Sequence, residues 1–252
     1  MEENNIINEN QAGFRKEYST TDHILTLTLL LEYMKFKNKT LYCGFMDLRK
    51  AYDTINRVML FKKLEMFKVK GKFFNVILSM YNQTKSRLKC NNLYTCDFSC
   101  DVGIRQGENL SSMLFSIFLN DLESYLNKQQ CDYIYLKSND DLFTYLQLFV
   151  LLYADDTVLL ATNVKSFRKI LKSYGDYCKE WDIDINANKS KIMVFGKHTK
   201  NTKFYINEEQ IEIVKNFKYL GITFTNNIDD LLKQWEKFLL INALVVVVVL
   251  GV

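Results

Sequence analysis

Proline is missing from all 252 residues, where ordinary usage of about 5% would supply roughly a dozen. With Asn, Lys, Ile, Tyr and Phe so frequent, the absence reads as a codon bias toward A and T, and it discounts Lys and Asn counts as functional signals. Histidine is nearly absent too: His23 and His198 stand alone and form no metal-ligand spacing. The cysteines Cys43, Cys90, Cys96, Cys100, Cys131 and Cys178 include no CxxC pair, and the cluster at Cys90, Cys96 and Cys100 lacks a fourth ligand, which argues against zinc. No secretory leader precedes them, so reduced thiols in an intracellular setting are expected. No internal repeat is visible. Hydrophobic content of 48% and aromatic content of 14% exclude a disordered chain, and the length suits one large domain or two joined subdomains.

Charge is small in sum, +4, but unevenly placed. Between Arg57 and Cys90 lie nine basic residues and one acid, Glu65, a net +8 with Phe, Tyr and Asn interleaved. Such a segment reads either as a surface for a polyanion or as a Lys-rich solvated face. Acid is concentrated elsewhere. In LFVLLYADDTVLL, Leu148–Leu160, two apolar runs with the composition of buried strands flank Asp155 and Asp156. Neighbouring residues of a strand point to opposite faces. Both carboxylates can serve one site only at a turn, which predicts a hairpin with Ala154–Thr157 at its tip. A bound divalent cation is the economical explanation of two acids beside a core; an ordinary acidic, solvated turn is the alternative.

The remaining pattern mixes strands and helices without strict alternation, which predicts an α+β sandwich rather than a doubly wound sheet. A helix is expected from about Thr21 to Phe36, and TLYCGFMD, Thr40–Asp47, reads as a central strand ending in a carboxylate. Helical spacing runs from Arg57 to Phe67, is stopped by Gly71, and resumes from Phe73 to Tyr81. Short strands are expected in Arg87–Gly103. One helix follows from Leu110 to Leu126, with Ser111 as its N-cap. Another spans Val164 to Cys178. Short strands at Ile183–Asn186 and Lys191–Phe195, a hairpin of Lys203–Ile206 with Ile211–Val214, and one strand over Phe217–Phe224 complete the reading. Asp47 and the Asp155–Asp156 pair thus end separate apolar strands. Side by side, those strands would gather carboxylates able to hold two Mg²⁺ ions about 4 Å apart, a phosphoryl-transfer arrangement.

In order, the chain carries QAGFRKEYSTTD, FMDLRKAYDTI, GIRQGENLSSMLFSIFLNDL, YADDTVLL, INANKSKIMVF and FKYLGITF. These resemble successive blocks of a reverse transcriptase, most similar to those of non-LTR (LINE-type) retrotransposons, over roughly residues 11–225. The resemblance implies a right-hand polymerase with an antiparallel sheet packed on helices. Its parts would be partial fingers at 1–40, palm with the first catalytic strand at 41–56, and a fingers insertion at 57–105. Palm with the YADD hairpin would follow at 106–205, a primer-grip hairpin at 206–226, and a thumb remnant or an artefactual apolar tail at 227–252. The implied activity is RNA-directed DNA polymerisation, adding dNTPs to a primer 3′-OH by two-metal phosphoryl transfer. RNA template, DNA primer, dNTPs and Mg²⁺, with Mn²⁺ as a substitute, are the implied partners and cofactor. No small-molecule cofactor is implied, and the implied site of action is nuclear.

By position, Asp47, Asp155 and Asp156 would hold the metals, with help from the Leu48 carbonyl. Tyr52 matches the aromatic gate that excludes a ribose 2′-OH, unless it is simply core. Gln106 and Gly107 would meet the incoming nucleotide and template, while Arg105 supports their loop. Lys189 would protonate pyrophosphate or be a plain surface lysine. Lys85, Arg87 and Lys89 would bind nucleic acid, and Phe217, Tyr219, Leu220 and Gly221 would grip the primer. Arg15 belongs to a finger block with no triphosphate contact assigned. The chain departs from the family where Glu108, Asn109 and Ser112 replace a Cys and two prolines, which reads as tolerated drift. The competing readings are a decayed polymerase fold that only binds nucleic acid and, less well matched at Tyr52, an RNA-dependent RNA polymerase. An incomplete polymerase is expected, without upstream finger strands and with little thumb. The run FLLINALVVVVVLGV, Phe238–Val252, is shorter than the roughly 20 residues that span a bilayer, so an artificial or frame-shifted end is favoured over an anchor.

Overall fold

Apolar residues throughout Leu41–Met46 leave that segment no solvated face, and it becomes the inner strand of a sheet covered on both sides. The computed structural model describes residues 11–15, 18–132, 134–136, 146–148, 150–197, 202–228 and 230–231. In chain order the first elements are α1 (Thr20–Phe36), β1 (Leu41–Met46), α2 (Arg57–Met66) and α3 (Gly71–Tyr81). Four two-residue strands follow, β2 (Lys85–Ser86), β3 (Lys89–Cys90), β4 (Leu93–Tyr94) and β5 (Phe98–Ser99), then α4 (Asn109–Phe118) and α5 (Leu122–Lys128). Next come β6 (Ile134–Leu136), β7 (Leu146–Leu148), β8 (Val150–Tyr153), β9 (Asp156–Ala161) and α6 (Val164–Glu180). The last are β10 (Lys191–Phe195), β11 (Phe204–Ile206), β12 (Glu209–Ile213), β13 (Asn216–Tyr219) and β14 (Ile222–Thr225).

The main sheet runs β11-β12-β10-β1-β9-β8, antiparallel throughout except where β12 joins β10. Alternation along each strand divides the core in two. Leu41, Cys43, Phe45, Val158, Leu160, Met193 and Phe195 pack on one face against α1 and the β13–β14 hairpin. Tyr42, Met46, Leu159, Ala161, Ile192 and Val194 pack on the other, against α4, α5 and α6. This is the expected α+β fold.

Short polar side chains start α1, α2 and α6. The Asp22 carboxylate accepts the Ser19 N–H at 2.7 Å ahead of α1, Asn56 Oδ1 accepts from Val58 at 3.0 Å, and Asn163 Oδ1 accepts from Ser166 at 2.9 Å.

Several sequence expectations need correction. The helix expected from Leu110 to Leu126 is two, because the chain turns at Leu119–Asp121. That turn brings Asp121 to the ammonium of Lys63, which is wholly buried over the Trp181 ring, 3.4 Å from its centroid, and bonded to Tyr177 Oη at 3.1 Å. Burial, opposed by Asp121, brings the Lys63 pKa down to about 8. Removing either partner would strand the other at a cost of about 3–5 kcal/mol. Ser111 caps nothing: α4 starts after Glu108, and the buried Ser111 hydroxyl sits 3.2 Å from Tyr81 Oη. Gly71 begins α3 rather than ending α2, which closes at Met66 with Lys68 at φ 60°. Ile183–Asn186 forms only a single bridge, Leu48 with Ile185. Phe217–Phe224 is not one strand but the β13–β14 hairpin, turned at Leu220 (φ 45°) and Gly221 (φ 88°). Among the described residues no helix is long and apolar enough to cross a membrane. Phe238–Val252 lies outside the described residues.

Candidate active site

The pairing of β1 with β9 brings the acids together. Met46 pairs with Thr157, so continuing that register sets Asp47 opposite Asp156. Tyr153 pairs with Asp156 across the β8–β9 hairpin, leaving a two-residue turn of Ala154, at φ 56°, and Asp155. The turn is tighter than the Ala154–Thr157 tip expected, and it places one acid in the turn and one at the start of β9. Asp155 is half-buried and Asp156 reaches solvent. Even so, desolvation at the crowded tip, then Asp155 and Asp47, push the Asp156 carboxyl up to about 6. Burial, opposed by a backbone hydrogen bond and helped by Asp47, raises Asp155 as well. Behind them on α6 lies Tyr174, whose hydroxyl burial holds well above its ordinary range.

This donor set suits a hard divalent cation, which prefers carboxylate and carbonyl oxygen and would relieve the mutual repulsion. As the side chains stand, no three His, Cys, Asp or Glu among the described residues close around one point. The Leu48 carbonyl remains outside its bridge to Ile185, whose hydrogen bonds run from Arg49 N–H to Asp184 and from Asn186 N–H to the Asp47 carbonyl, both 2.8 Å.

Tyr52 lies beside this cluster, half-buried and stacked on Phe115 with centroids 4.9 Å apart and planes 14° apart. Burial, and secondarily Asp155, raise its pKa against the pull of Ser112. Its segment is tied to the loop carrying Gln106 and Gly107. Ile104 N–H donates to the Tyr52 carbonyl at 2.8 Å, and Gln106 Nε2 donates to Asp53 Oδ1 at 2.7 Å. Gly103, at φ 79°, passes so close that a Cβ would lie 2.5 Å from the Asp53 carbonyl oxygen. Gln106 and Gly107 are exposed, and Arg105 steadies their loop through Glu108 at 3.3 Å and the Met80 carbonyl at 3.3 Å.

Lys189 is exposed on the turn before β10. Its neighbour Ser190, wholly buried, accepts the Asp47 N–H. The β13–β14 hairpin meets β1 through Phe217, stacked on Phe45 at 4.6 Å, and Tyr219, 5.3 Å from the same ring. These two side chains are committed to the sheet, leaving Lys218 and Gly221 exposed, while Leu220, half-buried, packs against the same core. His23 of α1, isolated in the sequence, lies edge-on to Tyr153 at 6.0 Å and 3.5 Å from Tyr219 Oη. Burial lowers its pKa to about 4 against the pull of Asp22, so it is neutral at physiological pH.

The basic segment divides. Arg57 is an internal hub, not a surface charge: its guanidinium donates to the carbonyls of Gly103 at 2.8 Å, Tyr81 at 2.9 Å and Val102 at 3.2 Å. Lys63 is buried as described. Lys85, Arg87 and Lys89 instead lie on a ribbon, β2 with β5 and β3 with β4, whose residues 85–99 are all exposed. Register puts the three cations on one side with Tyr94, and Ser86, Leu88, Cys90, Leu93 and Phe98 on the other. Arg87 pairs with Asp97 at 3.2 Å.

The family model described as "Reverse transcriptase (RNA-dependent DNA polymerase)" matches residues 1–224. The chain belongs to this family. A Pol polyprotein from a type-1 retrotransposable element of Popillia japonica is 24% identical over 82% of the chain and 34% of its own length. The RNA-directed DNA polymerase from mobile element jockey of Drosophila melanogaster is 23% identical, over 84% of the chain and 23% of its own length. The chain therefore spans about a third or less of these retrotransposon relatives. Among solved structures, telomerase from Candida albicans in complex with a fragment of telomeric RNA superimposes with a TM-score of 0.57 at 14% identity, covering 86% of this chain and 34% of that one. That likeness carries the fold, the palm and fingers of a reverse transcriptase.

Ser190, Gln11 and His23 are buried polar residues that sequence reasoning did not single out as functional. Asn186 with Ser190 is a local turn signal, but the partner of Ser190, Asp47, is 143 residues away.

Proposed function

We propose that this chain is the polymerising part of a non-LTR retrotransposon reverse transcriptase, which copies an RNA template by adding dNTPs to a DNA primer 3′-OH. The observation that carries the reading is the convergence of Asp47, Asp155 and Asp156, two of them with raised pKa, beside Tyr52. Two Mg²⁺ or Mn²⁺ ions held by these carboxylates and the Leu48 carbonyl would supply charge neutralisation at the attacking and leaving oxygens.

The protein groups then divide the work. Tyr52, braced flat against Phe115, limits the space beside a nucleotide sugar and rejects a 2′-OH by contact. Gln106 and Gly107, tied to the Tyr52–Asp53 segment, orient nucleotide and template. Lys189, exposed on the turn that holds Asp47, delivers a proton to departing pyrophosphate. Phe217 and Tyr219 seat the hairpin on β1 so that Leu220 and Gly221 meet the primer. Lys85, Arg87 and Lys89 attract phosphate along the exposed ribbon.

Primer extension on an RNA template, with Mg²⁺ and with chelator, tests this reading. Asp155→Asn should abolish incorporation and leave template–primer affinity within about threefold, because phosphate contacts elsewhere supply the binding. Retention of a tenth of wild-type incorporation by Asp155→Asn would remove the metal assignment. Binding without incorporation by the wild-type chain would favour a decayed, binding-only fold.

A further inference from the structure

Gln11 has none of its surface exposed, yet it caps no helix and joins no ion pair. Its Oε1 accepts two backbone N–H groups, from Gly13 at 3.0 Å and from Ala154 at 3.1 Å. Two donors converging on one atom decide which end of the carboxamide is oxygen, since the flipped group would set N–H against N–H. The backbone follows the same course. Gln11 forms a parallel bridge with Leu152, and Ala12 N–H donates to the Leu152 carbonyl at 2.9 Å. Gly13 then passes so near the turn that a Cβ there would lie 2.2 Å from the Ala154 nitrogen, a distance no packing tolerates.

Ala154 sits at φ 56°, a left-handed conformation that the two-residue hairpin turn requires and that a residue with a Cβ disfavours. Asp155 follows immediately, and rotation about Ala154 would carry its carboxylate away from Asp47. Within the turn the Asp155 carboxylate meets its own backbone, but the Ala154 N–H is taken by Gln11, 143 residues earlier.

We propose that Gln11 is a positioning residue for the catalytic turn: its carboxamide holds Ala154 left-handed and so aims Asp155 at the end of β1. This rests on the reading of Asp155 as a metal-binding carboxylate. A glutamine that merely filled the core would affect stability and nothing else.

The test compares the 252-residue chain with its Gln11→Met and Gln11→Glu variants by two measurements. The first is amide hydrogen exchange at Ala154 by NMR, without nucleotide or metal. The second is kcat and KM for single-nucleotide incorporation across pH. In Gln11→Met, Ala154 exchange should quicken at least about tenfold while the β1 and β10 amides keep theirs. Its kcat should fall at least about tenfold with the dNTP KM within about twofold. Gln11→Glu keeps an acceptor, so Ala154 should stay protected and most of kcat return. Unchanged Ala154 exchange and kcat in Gln11→Met, or equal losses in both variants, would overturn the proposal. If Gln11→Met does not fold, Gln11→Glu decides: lost Ala154 protection in that variant overturns it. If the wild-type chain incorporates nothing, the exchange comparison still decides whether Gln11 holds the turn.

Discussion

The Ser190 hydroxyl accepts the backbone N–H of Asp47 at 3.0 Å and donates to the Asn186 carbonyl at 2.9 Å. One wholly buried oxygen thus ties the end of β1 to the turn that carries Lys189. Ser190→Ala strands the Asp47 N–H and should destabilise the fold by about 1–3 kcal/mol in urea unfolding. A loss under about 0.5 kcal/mol would show the bond to be incidental.

The acidic cluster works against the fold. Asp156, at about 6 when folded against an ordinary 3.8, binds a proton that the unfolded chain has already released. Stability is therefore lost as pH rises from about 4 to about 6 and stays lost above it. Asp156→Asn removes that loss, discounted because the side chain reaches solvent. Melting at pH 7 should rise by about 1–3 °C, with the gain vanishing below pH 4. A lower melting temperature than wild type at pH 7 would contradict this.

Tyr52→Val should admit ribonucleotides. The variant also loses the stack on Phe115, so absolute rates will drop for every substrate. The informative quantity is the ratio of kcat/KM for matched dNTP and rNTP, which that loss leaves alone. An unchanged ratio would make Tyr52 a core aromatic.

Reversing Lys85, Arg87 and Lys89 to Glu should flatten the salt dependence of nucleic-acid affinity. Three phosphate contacts at about 0.7–0.9 each predict a log–log slope smaller by about two. Lys63→Met, which removes a buried cation of the same basic segment, should leave the slope untouched and lower stability instead. Equal slopes in the triple variant and wild type would reduce the ribbon to a solvated face.

What the sequence disclosed follows from how far each signal reaches. β1 and the hairpin of β8 and β9 were legible because apolar runs interrupted by acid need no distant partner to be read. α1 and α6 were legible through helical spacing. The break between α4 and α5 was hidden, since it serves Lys63 on another helix. The turn at Leu220–Gly221 was hidden because one glycine in an apolar run does not reveal a positive φ at the leucine before it. Arg57 and Lys63 were counted with the basic surface, whether polyanion-binding or solvated, because composition cannot separate a guanidinium bound to three carbonyls from one in water. Gln11, Ser190 and His23 make their decisive contacts 130 or more residues away, beyond any local pattern.

The central place of β1 also governs the order of events during synthesis. Its partners β9 and β10 follow it by more than about a hundred residues, roughly ten seconds of translation. Throughout that interval the strand LYCGFM, apolar at every position, has neither neighbour available, and both its hydrogen-bonding edges are open to other nascent chains. The arrangement that later unites Asp47 with Asp155 and Asp156 therefore makes newborn copies of this protein dependent on being shielded until the YADD hairpin emerges.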